Sequence, residues 1–214
     1  MVDLLSKGTF KPIDTSFLTE GHEVLMEVAR VQENWGKGDT DTFINELRDS
    51  MAGYYLGYDL VNVEKHGFDC KKSEKEDVFL EVKSASFAAK SWGATFNDTT
   101  FEKADCFKMN NVFLCLAVWK NASDLLFMIY GQNSKIGEFL ESKVRSFKNG
   151  NGVRSTQSIG LPQLVFDYGF DVICVNRTKA EVKSILGLKS PKFTTMNPSN
   201  FLDLEEYRKK YKLS

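Results

Sequence analysis

The sequence has few of the residues that build metal-stapled or disulfide-stapled domains. Only four cysteines and two histidines occur among 214 residues, and no two cysteines form a Cys-x-x-Cys pair. We therefore expect neither a zinc site nor a secreted disulfide scaffold. The longest strongly apolar run, Val112–Trp119, is far shorter than the ~18 residues of a membrane helix. Because the first residues also lack the apolar segment of a signal peptide, a cytoplasmic protein without membrane association is expected.

An excess of charge of either sign is also missing. Lys and Arg number 28 against 29 Asp and Glu, so the formal net charge is -1. A surface that binds nucleic acid would therefore have to be a local patch. Hydrophobic residues make up 42% and charged residues 27%, which is typical of a folded domain. No repeat or linker divides the chain, so residues 1–214 are treated as a single domain.

Hydrophobic periodicity predicts that helices and strands are interleaved along the chain. The predicted helices cover residues 19–35, 39–57, 99–109, 134–147, 178–187 and 199–211. The predicted strands cover residues 58–64, 77–83, 112–119 and 125–130, and one more strand is expected to end at residues 174–175 of a further apolar segment. A short paired segment is predicted near residues 68–72, and a loop is predicted over residues 84–98. This order predicts an α/β fold in which a mixed central β-sheet is flanked by helices.

The tripeptide Glu-x-Lys occurs three times, at residues 81–83, 141–143 and 181–183. The second and third copies lie in predicted helices, where residues two apart point to nearly opposite sides. The first copy ends a predicted strand, where residues two apart share one face. Only Glu81 and Lys83 are therefore expected to place a carboxylate and an ammonium in one site, with Val82 facing the core.

Asp69 follows the turn at Gly67 and comes beside Glu81 if the two segments pair. Two close carboxylates repel each other unless a cation lies between them, and hard oxygen ligands suit Mg²⁺, with Mn²⁺ as a substitute. Such a site fits metal-assisted phosphodiester hydrolysis, in which Lys83 positions the water or stabilises developing charge. The alternatives without a catalytic role are a turn aspartate for Asp69 and a solvated cross-strand ion pair for Glu81 and Lys83.

Asp69 followed by Glu81-Val82-Lys83 at a strand end, after an acidic helix and before a helix and two core strands, resembles the PD-(D/E)xK nuclease superfamily over residues 40–131. Phe68 stands where that superfamily often has proline. The resemblance implies a restriction-endonuclease-like core, which residues 132–214 complete. It implies catalytic roles for Asp69, Glu81 and Lys83. The metal ligands that it implies are Asp69, Glu81, Val82 and, from the preceding helix, Glu46, with Glu64 as an alternative acid.

Two further regions are candidates for contacts with DNA, since they combine cations for phosphates with amide or hydroxyl groups for base edges. The candidates around the Gly/Asn-rich loop are Arg145, Lys148, Arg154, Ser155, Gln157 and Ser158. The candidates in the stretch that follows Lys83 are Lys90, Trp92 and Asn97. The alternative for both regions is an ordinary solvated loop.

Together with the Asp69, Glu81 and Lys83 pattern, the resemblance implies a Mg²⁺-dependent, sequence-specific double-stranded DNA endonuclease of the type II restriction class. A homodimer is expected, because one chain offers one site and a double-strand break needs two hydrolyses. A DNA methyltransferase encoded nearby would be its companion. Two alternatives remain: a structure- or damage-specific repair, recombination or phage nuclease of the same fold, and a catalytically silent DNA-binding module.

Overall fold

The computed structural model describes residues 8–35, 42–62, 67–97, 99–148 and 156–212. The α-helices in these residues are α1 (Thr15–Trp35), α2 (Thr42–Tyr55), α3 (Phe101–Phe107), α4 (Lys135–Lys148), α5 (Lys179–Lys189) and α6 (Leu204–Tyr211). The strands are β1 (Thr9–Lys11), β2 (Asp59–Asn62), β3 (Cys70–Lys71), β4 (Phe79–Ser86), β5 (Gly93–Phe96), β6 (Val112–Trp119), β7 (Leu125–Gly131), β8 (Gln157–Gly160), β9 (Asp171–Cys174) and β10 (Phe201–Asp203). No helix within these ranges combines the length and hydropathy of a membrane span.

Eight of the strands form one mixed sheet in the order β1-β2-β3-β4-β6-β7-β9-β10. The pairs β4/β6 and β9/β10 are parallel, and the other neighbours are antiparallel. The parallel β4/β6 pair requires a crossover connection, which contains α3. The predicted α/β fold with a mixed central sheet flanked by helices is confirmed.

Both faces of the sheet are buried, and this explains the nearly continuous apolar runs of β6 and β7. Alternate residues of β6 enter two separate cores. Leu114, Leu116 and Val118 pack on the side of α3, α4 and α5. Cys115, Ala117 and Trp119 pack on the side of α1, α2 and α6. The central strands are therefore fixed by packing on both sides.

Three predicted segments differ from the observed structure. The predicted loop 84–98 contains the end of β4 and all of β5, which pairs with β8 in a separate two-stranded ribbon. The predicted tail helix 199–211 begins with β10, which pairs with β9. The apolar segment before β9 forms a π-helical turn, Gln163–Asp167. The two short strands depend on partners distant in sequence, so local periodicity does not reveal them.

The position of α2 depends on two glycines. Gly57 adopts a positive φ of 74° just after the helix, a conformation that ends the helix and turns the chain into β2. Gly53 lies so close to β3 that an added Cβ would collide with the Sγ atom of Cys70. Because Cys70 adjoins Asp69, this close approach brings α2 against the strand end that carries the candidate site.

Candidate active site

The candidate site lies where β4 loses its neighbour on one side. The strand β3 is only two residues long, and its pairing with β4 ends at Cys70 and Leu80. The following residue of β4, Glu81, therefore begins an open edge on that side, whereas β6 pairs along the other side for the full length of the strand. On that side the backbone of β4 is left for a side chain or a ligand to contact.

Asp69 occupies this open edge in place of a strand. Its Oδ2 atom accepts a hydrogen bond of 2.7 Å from the backbone N–H of Val82. The contact satisfies an amide that would otherwise have no partner from β3, and it fixes the Asp69 carboxylate beside Glu81. The Val82 side chain is buried in the core, so only the backbone of this predicted metal ligand is available to the site.

Glu81 and Lys83 share one face of β4, since residues two apart on a strand point the same way. The Nζ atom of Lys83 lies 2.6 Å from Oε1 of Glu81. The Glu81 side chain is 2% exposed, whereas that of Lys83 is 24% exposed. The buried carboxylate thus has a partner that still reaches solvent.

A second lysine, which the sequence pattern did not predict, contacts the same carboxylate oxygen. Lys103, in the first turn of α3, places its Nζ atom 2.6 Å from Glu81 Oε1. The helix begins at the N-cap Thr100, whose side chain accepts a hydrogen bond from the Lys103 N–H. The sequence does contain a signal for Lys103: it precedes the buried residues Cys106 and Phe107 by three and four positions, so it lies on the apolar stripe of the helix. A lysine on such a stripe is unusual.

The other oxygen of the Glu81 carboxylate, Oε2, is buried and has no hydrogen-bond partner among the described residues. Burial alone would favour the neutral acid, but Lys83 and Lys103 outweigh it, so the pKa of Glu81 lies below its ordinary value. For Lys83, burial is likewise opposed by Glu81 and Asp69, and its pKa is raised above the ordinary lysine value. The site therefore contains an ionised carboxylate with one unsatisfied oxygen and a protonated lysine.

On α2, Asp49 rather than the predicted Glu46 lies against β4. Glu46 is exposed, whereas Asp49 lies one turn further along and accepts a 2.8 Å hydrogen bond from the hydroxyl of Ser84 on β4. Burial and the nearby charge of Asp69 raise the pKa of Asp49 well above its ordinary value. The alternative acid Glu64 lies outside the described residues. A signal for Asp49 was its helical spacing from buried Ala52 and Leu56.

The pKa of Asp69 is raised to about 6, first by burial and then by the negative charge of Glu81. A cation between Asp69 and Glu81 would remove this repulsion and satisfy Oε2. The described part of the chain contains no group of three or more His, Cys, Asp and Glu side chains arranged for a metal. Mg²⁺, however, is bound in proteins through one or two carboxylates and keeps several waters, and Asp69 and Glu81 fit that requirement.

The residues predicted to contact DNA differ in their exposure to solvent. Lys90 and Asn97 are exposed. Arg145 is also exposed and forms an ion pair with Glu141 on α4. Trp92 is a correction, because it is 4% exposed and packs edge-on against Phe127 in the core, where its ring cannot reach DNA. Arg154, Ser155 and the side chain of Lys148 lie outside the described residues.

Gln157 and Ser158 lie on the β5–β8 ribbon, which connects the DNA candidates to the site. Ser158 pairs with Thr95, and both side chains are exposed, with their hydroxyls 3.4 Å apart. Gln157 pairs with Phe96, whose buried ring lies 5.9 Å from the Nζ atom of Lys83. One face of the ribbon therefore packs beside the catalytic candidates, and the other points outward.

A comparison of the sequence with protein-family models and with curated protein sequences finds no match.

Proposed function

We propose that the chain is a Mg²⁺-dependent DNA endonuclease with a restriction-endonuclease-like core, in which Asp69, Glu81 and Lys83 form the catalytic centre. The observation that carries this proposal is the Oε2 atom of Glu81, which is buried beside Asp69 at the open edge of β4 and has no hydrogen-bond partner in the described part of the chain. Leaving a charged oxygen buried without a partner is costly. Such a group is better explained by a ligand that it binds than by a contribution to stability.

Asp69 and Glu81 would hold the metal, together with the backbone of Val82. A metal bound there would polarise a phosphate and lower the pKa of a bound water. Lys83 remains protonated, so it acts as a donor that orients the phosphate or stabilises negative charge as that charge develops. Asp49 holds Ser84 of the same strand from the other side of the sheet.

The proposed DNA contact uses the β5–β8 ribbon, because the major groove of B-DNA accommodates a two-stranded β-ribbon. Thr95 and Ser158 on its outer face, together with Asn97, carry groups that can bond to base edges. Lys90 precedes the ribbon and supplies a cation for phosphate. This arrangement supports sequence-specific recognition of double-stranded DNA, as in a restriction enzyme. A restriction enzyme would have a DNA methyltransferase, encoded nearby, as its companion protein.

The test is cleavage of several large DNAs, including supercoiled plasmid and phage DNA, with Mg²⁺, with Mn²⁺ and with EDTA. We expect discrete fragments only with the metal, and none with Glu81→Ala or Lys83→Ala. Lys143→Ala and Lys183→Ala are controls, because these lysines lie on α4 and α5 in the other two Glu-x-Lys copies. Absence of cleavage on every DNA, or equal cleavage in EDTA, would refute the proposal.

Two related functions are outcomes of the same experiment. Cleavage of branched or damaged DNA alone would indicate a repair, recombination or phage nuclease. Binding of DNA without cleavage would indicate a catalytically silent DNA-binding module. This alternative is supported by the two lysines that already form ion pairs with Glu81 Oε1. In that case the ion cluster would serve only to close the strand edge.

The proposed enzyme acts as a homodimer, since two hydrolyses on antiparallel strands match two sites related by a two-fold axis. Sedimentation of the protein on a short cleavable duplex, with Ca²⁺ to prevent turnover, measures the number of chains bound. Two chains per duplex are expected. A single chain that retains full double-strand cleavage would contradict the dimer.

A further inference from the structure

Two lysines from different elements bind one oxygen of Glu81. Lys83 comes from β4, two residues along the same strand, and Lys103 comes from α3 across the crossover connection. Each Nζ atom is 2.6 Å from Oε1. A buried carboxylate needs a cationic partner, because removing the only partner leaves an uncompensated buried charge. One lysine would satisfy that need, so the second is redundant for the carboxylate alone.

The two lysines differ in their surroundings. Lys83 lies within reach of three acidic groups, Glu81, Asp69 and Asp49. Its Nζ atom lies 5.9 Å from the centre of the buried ring of Phe96, on the inner face of the β5–β8 ribbon whose outer face is proposed to contact DNA. Lys103 instead faces the ring of Phe68, at 5.9 Å, in the segment that leads into β3. Lys83 thus lies beside the ribbon and near the three acidic groups, whereas Lys103 lies beside the segment that leads into β3; the two side chains are 24% and 20% exposed.

We propose that Lys103 is a positioning residue that retains Glu81 Oε1 while Lys83 leaves the carboxylate to contact a substrate phosphate. With Lys103 in place, the departure of Lys83 does not leave Glu81 without a partner, and the direction of the free Oε2 atom stays fixed. The role of Lys83 at the phosphate rests on the proposed nuclease function. The redundancy of the two lysines does not rest on it.

The first test is a double-mutant cycle on the full-length protein, with thermal unfolding as the readout. Lys83→Met and Lys103→Met each leave one lysine on Glu81, so each should lower Tm by less than about 3 °C. The double variant leaves the buried carboxylate with neither lysine, and Tm should fall by on the order of 10 °C, far more than the sum. Adding Glu81→Gln to the double variant should restore most of the loss.

The second test uses DNA cleavage and separates positioning from simple packing. Lys103→Met should lower kcat about 10- to 100-fold with little change in KM, because Lys83 then stays engaged with Glu81. Lys103→Arg keeps a cation on Oε1 and should recover most of the rate. Lys108→Met is the matched control on the same helix, since Lys108 pairs with Asp105 and Glu141 away from the site. It should leave kcat unchanged.

Additive losses of Tm in the cycle would overturn the proposal, as would a kcat of Lys103→Met equal to that of the unsubstituted protein. If the unsubstituted protein cleaves no DNA, the nuclease proposal fails. The cycle still decides whether the two lysines compensate Glu81 redundantly, so the two failures are distinguishable.

Discussion

Two buried carboxylates in the central sheet have opposite hydrogen-bonding states. Asp171, at the start of β9, has a side chain 7% exposed. It accepts hydrogen bonds from Lys210 on both oxygens, at 2.8 and 2.6 Å, and a third from the Tyr211 hydroxyl at 2.8 Å. Glu81 has two lysines on Oε1 and, within the residues that the structure describes, no partner on Oε2.

The difference separates a structural ion cluster from a candidate binding site. Asp171 fastens α6 to the sheet, and Tyr207 completes the attachment by donating a 2.9 Å hydrogen bond to the carbonyl of Leu56. Every oxygen in that cluster has a partner, so nothing remains for a ligand. At Glu81 the missing partner is the feature that a cation would supply, and burial alone does not distinguish the two sites.

The largest expected effect comes from neutralising the unsatisfied carboxylate. Glu81→Gln should lower cleavage by about 1,000-fold or more, because it removes a metal ligand and the partner of Lys83. Its Tm should fall by a few degrees, since Lys83 and Lys103 lose the carboxylate that they share. Plasmid cleavage and thermal unfolding of the same preparation measure both quantities. A large fall in Tm with normal cleavage per folded molecule would place Glu81 in the same class as Asp171.

The reverse pattern is expected at Asp171. Asp171→Ala leaves the Tyr211 hydroxyl without its partner, while Lys210, 51% exposed, can turn to solvent. A cost of about 1–3 kcal/mol follows, or roughly 3–10 °C in Tm for a domain of this size. Cleavage per folded molecule should not change. Glu205→Ala, which breaks an exposed ion pair with Lys209, is the control and should shift Tm by less than about 1 °C.

The pH dependence of stability should report on Asp69 in the candidate site. The pKa of Asp69 is raised to about 6, so protonated Asp69 contributes stability at low pH that is lost as the pH rises from about 4 through 6. Asp69→Asn should flatten this part of the Tm-against-pH curve. An unchanged slope in Asp69→Asn would show that another group, such as Asp49, carries the effect.

Calorimetric titration with Mn²⁺ at pH 7 complements this measurement. Asp69→Asn should weaken binding strongly, since Mn²⁺ would lose one of its two carboxylates. Equal affinity in the variant and the unsubstituted protein would support the turn-aspartate interpretation of Asp69. Asp171→Ala serves as the control, because its carboxylate has no free oxygen, and binding should not change.

The smallest effects are expected on the outer face of the β5–β8 ribbon. Asn97→Ala and Ser158→Ala each remove groups that can bond to base edges, at a cost of roughly 1 kcal/mol in discrimination between sequences. Competition between cleavable and substituted duplexes in Ca²⁺ measures this cost. Thr19→Ala, an exposed residue of α1, is the control. Equal discrimination by all three variants would assign recognition to another surface.

The hydrophobic pattern of the sequence predicts much of the central sheet but only part of the candidate site. The runs at β6 and β7 are apolar on both faces, so their bounds were predictable to within one residue. The pairing of Glu81 with Lys83 followed from the two-residue period of a strand. Lys103 and Asp49 did not follow, because they reach β4 through the packing of α3 and α2.

The β5–β8 ribbon shows a second limit of local pattern. Its paired residues Thr95 and Ser158 are 63 positions apart, and each strand is only four residues long. The outward residues are small and polar, which resembles loop composition. Trp92 was misjudged for the same reason, since the burial of an aromatic residue beside a short strand depends on what the ribbon packs against.

The most direct test of the central claim is an anomalous difference map from crystals of the protein soaked with Mn²⁺. We predict a manganese peak within about 2.3 Å of both an oxygen of Asp69 and Oε2 of Glu81, because oxygen ligands lie at about this distance from a hard cation. No peak should lie at Asp171. Oε2 of Glu81 hydrogen-bonded to a protein group, with no manganese bound to it, would contradict the account.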